Sequence, residues 1–202
     1  MIGILIALYL NTQKEEFKER QNEIVLLKKL KEENLFNIDV LKDNEKYHEE
    51  IPEIFEHFVD YLAYNQIDSI TDSLAYFINE TMRTPVYSFS DGNLNNYIVS
   101  QQNNFPDINK EVIYLKNLQD DLHLFSDKGV AIKLEDYYKK LNNEIDYYTG
   151  EIYSTEAINS ISFRNNMFLL QTMEQELSRI YNLTLSQMRK VDSLLTNVLK
   201  DD

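Results

Sequence analysis

Glycine and proline are nearly missing from this chain: four Gly and three Pro stand among 202 residues, and none lies between Gly3 and Pro52 or between Thr155 and Leu199. Two stretches of more than forty residues, one toward each end, therefore lack the residues that most often interrupt helices. In the first, Phe17, Ile24, Leu27, Leu30, Leu35, Ile38 and Leu41 form one apolar stripe at helical spacing. In the second, Ile158, Ile161, Phe168, Met173, Leu177, Ile180, Leu183, Met188, Val191, Leu194 and Val198 trace another. The spacing predicts one helix from Ile2 to about Glu50 and a second from Thr155 to Leu199.

Between them the pattern is broken more often. Pro52 suits the first turn of a new helix, which predicts a bend near residues 49–52 and a helical face through Ile51, Phe55, Phe58, Val59 and Leu62. Asn65 to Ser69 reads as a break. Ile70, Leu74, Phe77 and Ile78 form a helical face that ends before Thr84-Pro85, since a residue preceding proline is pushed out of the α region. Val86 to Phe89 is expected to be extended, and Ser90-Asp91-Gly92 to cap a short helix through Leu94, Tyr97 and Ile98. With Asp107 as its N-cap, the next helix carries Ile108, Val112, Leu115, Leu118, Leu122 and Phe125 and is expected to stop where Gly129 can take a left-handed C′ conformation. Ile132 to Tyr148 is helical by pattern and rich in tyrosine, with Tyr137, Tyr138, Tyr147 and Tyr148 suited to peripheral packing or to a partner surface. The fold class that follows is all-α: an elongated antiparallel helical bundle with long N- and C-terminal helices and shorter helices between them. A strict heptad is not kept by the apolar residues, so a dedicated coiled coil is the second choice.

Composition narrows the function. A formal net charge of −14 opposes nucleic-acid binding, because phosphate affinity comes mostly from a basic surface. With no cysteine there is no disulfide, thiolate metal site or cysteine nucleophile. Glu45-Lys46-Tyr47-His48 is an E-x-x-H element and Asp120-Asp121-Leu122-His123 a D-x-x-H element, a spacing that di-iron bundles use to bring carboxylate and imidazole to one metal. Glu45 and His48 continue the stripe of Ile38 and Leu41, but the second element has Asp for Glu and lies to the side of its helix's stripe. Glu53 and His57, four residues apart, read as an ordinary helical pair. No G-x-S-x-G elbow and no glycine-rich phosphate loop occur. No catalytic, cofactor-binding or metal-ligating residue is assigned, and no cofactor is expected.

The first ten residues, MIGILIALYL, are the most apolar run, and they pass directly into the charged helical segment NTQKEEFKERQNEIVLLKKLKEE. Ten helical residues cover about half of the ~30 Å hydrocarbon core of a bilayer. With no basic region before it and Asn11-Thr12-Gln13 after it, the run does not have the form of a cleaved signal peptide. Residues 1–12 are expected to be the distal half of a transmembrane or membrane-interface helix, with Ile2, Ile4, Leu5, Ile6, Leu8, Tyr9 and Leu10 as its membrane-anchor residues, and 13–202 to be the bundle domain.

The segment MIGILIALYLNTQKEEFKERQNEIVLLKKLKEE resembles the start of an uncharacterised bacterial family of small membrane-anchored helical proteins, whose signature reads roughly G-E-I-x-L-V-V-I-G-I-L-I-A-L-x-I-N-N-W-N-E. Ile2-Gly3-Ile4-Leu5-Ile6-Ala7-Leu8 and Asn11 match it, while Tyr9 and Thr12 depart from it. Val86 to Asp91 with Leu94 and Ile98-Val99-Ser100 is similar to the family's central S-x-x-x-x-x-L-x-x-S stretch, with Gln101 in place of its glycine, and Phe163-Arg164-Asn165-Asn166 is similar to its last helix. The resemblance implies a single-pass protein of the bacterial inner membrane with a periplasmic body. It also implies that Met1 falls inside the family's helix, so that the start is internal to a longer reading frame or the copy is truncated. It implies no activity.

The functional expectation is a non-enzymatic, membrane-tethered scaffold or interaction module of the bacterial cell envelope. Its partners are membrane lipid through the N-terminal helix and another protein or a second copy, with no nucleic acid. The alternatives are a sensor-like bundle holding a small ligand between helices and a metal-carboxylate enzyme using Glu45 and His48.

Overall fold

The computed structural model describes residues 2–64, 67, 71–85, 87–100, 104–146, 148–149 and 151–200; for residues 2, 3, 5 and 136–138 it describes the backbone alone. The chain is an all-α helical bundle. In order it forms α1 (Ile2–Lys42), α2 (Glu45–Tyr64), α3 (Asp72–Met82), α4 (Gly92–Val99), α5 (Pro106–Lys133), a π-helical segment (Leu134–Lys139), strands β1 (Ile145–Asp146) and β2 (Glu151–Ile152), and α6 (Ile161–Lys200). Two compact units divide it: Met1–Val40, Ser88–Asn117 and Leu185–Asp202 form the first, Leu41–Tyr87 and Leu118–Thr184 the second. Helices α1, α5 and α6 contribute residues to both.

The first unit buries Ile24, Leu27 and Leu30 of α1, Leu94 and Tyr97 of α4, Val112 and Leu115 of α5, and Met188, Val191 and Leu195 of α6. Its short helix α4 has no side-chain cap from its own Asp91. Glu33 of α1 supplies the cap from a distance, its carboxylate accepting from the backbone N–H of Asn93 and Leu94, both at 2.8 Å, and from Ser90 Oγ at 3.1 Å. Asn37, one helical turn on, brackets the backbone of Ser90, donating to its carbonyl at 2.6 Å and accepting from its N–H at 2.9 Å. The Ser90 to Ser100 stretch is thus held by α1, and Ser100 Oγ closes it on the Tyr97 carbonyl. Glu33→Ala leaves orphaned N–H groups at the α4 start, and urea titration is expected to show a loss of about 1–2 kcal/mol.

In the second unit, α2 lies antiparallel to both α3 and α6. Along α2, Tyr47 meets Arg83 and Glu174, whereas Phe58 stacks on Phe77 at 5.3 Å and meets Phe163 edge-on at 6.5 Å. The break before α2 falls earlier than Pro52 suggested. Asp43-Asn44 makes the turn, and the Leu41 carbonyl accepts from Asn44 N–H at 2.9 Å and from Tyr181 OH at 3.0 Å. Pro52 stands inside α2, where an interior proline costs about 3 kcal/mol. Burial of Tyr47, Ile51, Phe55, Phe58 and Leu62 offsets that cost, at about 1.5–3 kcal/mol for each large apolar side chain. Thr71 caps α3 by accepting from Leu74 N–H.

The expected stop at Gly129 does not occur. Helix α5 runs through it to Lys133, because Lys133 is held in the interior and Ile132 packs against the core, which outweighs the ~1 kcal/mol cost of a helical glycine. Of the helix expected over Ile132 to Tyr148 only the first half forms, as the end of α5 and the π-helical segment; after Lys139 the chain turns into a two-stranded hairpin with Ile145 paired to Ile152. Asp146 Oδ1 takes the N–H groups of Tyr148 and Thr149, the local competition by which Asp diverts backbone from a helix. Tyr148 is fully exposed; the Tyr137 and Tyr138 side chains and Tyr147 lie outside the described residues, as do four of the five residues of the expected break at 65–69. Helix α5 begins at Pro106, so Asp107 sits in its first turn, and Phe105 accepts the first helical N–H.

Helix α6 starts at Ile161, with Ser160 Oγ accepting from Phe163 N–H. Its buried face differs from the expected stripe: Ile161 and Phe168 are exposed, and Phe163, Met167, Leu170, Tyr181, Leu185 and Leu195 are buried. Phe163, Met167, Leu170, Glu174, Leu177, Tyr181, Thr184, Met188, Val191 and Leu195 alternate at four and three residues, a strict heptad seam. It is strict only because Glu174 and Thr184 belong to it.

Candidate functional site

The second unit carries a cleft of ≈ 540 Å³ on the α2–α3 hairpin. Turn after turn, α2 lends it Lys46, Glu49, Glu50, Glu53, Ile54 and His57, α3 lends Tyr76, Phe77 and Glu80, and Arg83 follows as the C-cap of α3. The lining thus holds four carboxylates, two permanent cations and two aromatic rings. Arg83 Nη1 pairs with Glu80 at 2.6 Å, and its guanidinium lies 5.9 Å from the centre of the Tyr47 ring. Lys46 reaches Glu50 at 3.6 Å and His57 reaches Glu53 at 4.0 Å, exposed helical pairs worth a few tenths of a kcal/mol.

Arg83 links this cleft to a buried charge pair. Lys133 Nζ sits 2.7 Å from Glu174 Oε1, with both side chains only 3% exposed. The ammonium also donates to the Arg83 carbonyl at 2.6 Å and to Tyr47 OH at 3.3 Å, which places its three protons. Tyr47 OH in turn donates to Glu174 Oε2 at 2.9 Å. Phe55 and Tyr47 present ring faces to the ammonium at 5.5 and 5.9 Å. Burial pushes the Lys133 ammonium below its usual range while Glu174 pulls it back up. The Tyr47 phenol is pushed far up by burial and by the Glu174 carboxylate, so it stays a donor. The π-helical segment begins one residue after Lys133, and such irregular turns concentrate at functional sites.

Beside this pair lies a histidine cage. His48 Nδ1 is 3.0 Å from Ser178 Oγ, Nε2 makes a short contact with Tyr87 OH, and the ring stacks on Tyr181 at 4.1 Å. Burial pushes its pKa down to about 3, and it also pushes the Tyr87 phenol far up. The ring is therefore neutral, and a neutral imidazole uses one nitrogen as donor and the other as acceptor toward the Tyr87 and Ser178 hydroxyls.

The structure separates the partners of the E-x-x-H reading. Glu45 is exposed, whereas both nitrogens of His48 are engaged in the core. Asp120 and His123 are exposed on α5, and among the described residues no group of three or more His, Asp or Glu is placed to hold a metal ion. Of the membrane-anchor residues, Ile4 (69%), Ile6, Leu8, Tyr9 and Leu10 are exposed on α1; the side chains of Ile2 and Leu5 lie outside the described ones. Among the described residues no helix is long and apolar enough to cross a membrane. Sequence reasoning missed Lys133, Glu174 and Arg83. The signal that points to Glu174 is its place in the four–three alternation of α6. No protein-family model, curated protein or solved structure matches this chain.

Proposed function

We propose that the protein is a non-enzymatic helical module of the bacterial cell envelope, tethered through the start of α1 and acting by binding other molecules. The exposure of α1 carries this reading: from Ile6 to Asn22 every side chain is exposed, including Ile6, Leu8, Tyr9, Leu10 and Phe17. A solitary helix of this kind is marginal in water, and contiguous apolar exposure marks a surface that is covered in use. Lipid is the cover that suits a run whose apolar side chains point all round the helix. Inserting Ile4, Ile6, Leu8 and Leu10 gains about 1.5–3 kcal/mol for each side chain fully transferred. The test is flotation with neutral phospholipid vesicles. The chain is expected to float with the vesicles, and Ile6→Asp/Leu10→Asp to remain at the bottom of the gradient with its melting curve unchanged. If both proteins stay at the bottom, the tether is refuted. Crosslinking in mild detergent tests the binding role, which predicts a specific partner or a second copy; a clean monomer throughout counts against it.

The α2–α3 cleft favours a second reading, in which the second unit is a sensor-like bundle that binds a small ligand. Its volume lies in the range of small-molecule sites.

A further inference from the structure

We infer that the solvent-facing side of α1 between Leu10 and Lys29 lies against the headgroups of anionic phospholipid; this rests on the membrane-tether reading above and names the lipid. The charges of this segment are sorted by side. At about 100° per residue, Leu10, Lys14, Lys18, Val25, Lys28 and Lys29 fall in one sector about 100° wide. Glu15, Glu16, Glu19 and Glu23, all the acidic residues between Leu10 and Lys31, share a second sector of about the same width on the far side of the helix. Arg20 and Lys31 lie on the flank between the two, and Phe17 borders the basic sector. Such sorting sets Lys14 with Lys18 and Glu15 with Glu19 at i,i+4, like-charge pairs that weaken an isolated helix where a Glu-to-Lys order supports it.

The basic sector is also the side that α1 turns away from its own unit. Glu23, Ile24, Leu27 and Leu30 are buried, whereas Val25, Lys28, Lys29 and, further along the same sector, Phe36 are exposed. Among the described residues the side chains of Lys14, Lys18, Lys28 and Lys29 make no ion pair or hydrogen bond, while Glu15 and Glu16 accept from Asn11 and Gln13 at 2.8 and 3.0 Å. Phe17 is 65% exposed and Val25 52%, so apolar side chains are interleaved with these cations. A boundary between acyl chains and phosphates takes both, because lysine stems lie along its apolar side while their ammonium groups reach the headgroups. Position along the chain favours lipid over an acidic protein. Leu10 ends the apolar run, and Lys14 follows it by one turn and Lys18 by two, where a helix rooted in hydrocarbon enters the headgroup layer.

The test is titration of the full chain with vesicles of phosphatidylcholine alone and with vesicles in which phosphatidylglycerol replaces part of it, read by co-flotation. Taken as a whole, a net charge of −14 predicts repulsion by the anionic vesicles. Salt at about 0.1 M screens charges beyond about 10 Å, so the lysines on the lipid side are expected to decide, and the anionic vesicles to bind about tenfold or more tightly. Lys14→Gln/Lys18→Gln/Lys28→Gln/Lys29→Gln is expected to lose that preference and keep its melting curve, since Gln nearly matches Lys in helix propensity. Lys110→Gln/Lys128→Gln/Lys139→Gln/Lys140→Gln removes four exposed lysines elsewhere, leaves the same net charge, and is expected to keep the preference. Equal or weaker binding of the parent chain to the anionic vesicles, or a preference lost alike in both variants, overturns the headgroup contact, while binding to phosphatidylcholine leaves the tether standing. Absence of binding to either vesicle removes both. A dimer that forms without vesicles and disappears in the α1 lysine variant assigns this face to the acidic surface of a second copy and overturns the lipid.

Discussion

Lys133→Met is expected to lower the unfolding free energy by about 3–5 kcal/mol, among the largest losses any single substitution in this chain produces. The loss comes from what remains behind. Glu174 keeps a carboxylate in a site 3% exposed, with Tyr47 OH as its remaining donor among the described residues, and the Arg83 carbonyl loses its 2.6 Å donor. The mirror change, Glu174→Leu alone, strands the ammonium and is expected to cost a similar amount. Removing both together behaves differently. A pair this deep repays its desolvation only through the geometry of its bonds, so Lys133→Met/Glu174→Leu is expected to recover most of the stability of the parent chain. Urea titration of the parent, both single variants and the double variant completes the cycle. A single-variant loss below about 1 kcal/mol is what an exposed pair gives, and would falsify the buried arrangement.

Acid is expected to destabilise the second unit from about pH 6 downward. Unfolded, His48 takes a proton below its ordinary value of 6.5; folded, burial delays protonation to about 3. Between those values the unfolded state binds the extra proton, so stability is present in full above pH 6.5 and falls as the pH drops, by up to about 1.4 kcal/mol per unit. The groups around the ring fix the direction. Tyr47, Tyr87, Tyr181 and Ser178 face it, and none of them carries charge in this range with which to stabilise an imidazolium. His48→Gln has no side chain that titrates here and is expected to flatten the slope between about pH 6.5 and pH 5, above the range where most carboxylates protonate. Chemical denaturation at stepped pH reads it; equal slopes for the two proteins would show that His48 is solvated.

The helices themselves were legible. The short spans between punctuating residues, the turn at Ser90-Asp91-Gly92 and the apolar faces of α2, α3, α4 and α5 all lie where local spacing puts them. Helix ends were legible only where the responsible residue is local. Pro52 and Gly129 each weaken a helix by a known amount, and in both places packing outweighs them. Asp146 shows the opposite case, a side chain that captures its own backbone and ends a helical pattern that the apolar residues continue. The phase of α6 was misread for a more instructive reason. Counting apolar residues alone admits Ile161 and Phe168, which are exposed, and omits Glu174 and Thr184, which are buried.

The candidate site was far less legible than the fold. Glu53 and His57 stand out as an i,i+4 pair, but the cleft around them exists only because α3 returns alongside α2 and brings Tyr76, Glu80 and Arg83 opposite. Similarly, Glu33 is one glutamate among many until α4 begins beside it and needs its N–H groups satisfied.

From the amino-acid order alone came the all-α class, the long helices at either end and the acidic, cysteine-free character, since helix propensity, punctuation and side-chain periodicity act within a turn or two of the backbone. Which charged residues are buried was decided only by the tertiary structure. A Lys or Glu enters a core when a partner distant in sequence arrives to satisfy every one of its bonds, as Glu174, Tyr47 and Arg83 do for Lys133. That condition is a property of four segments meeting at one point, α5 with α2, α6 and the end of α3, and no local segment contains it.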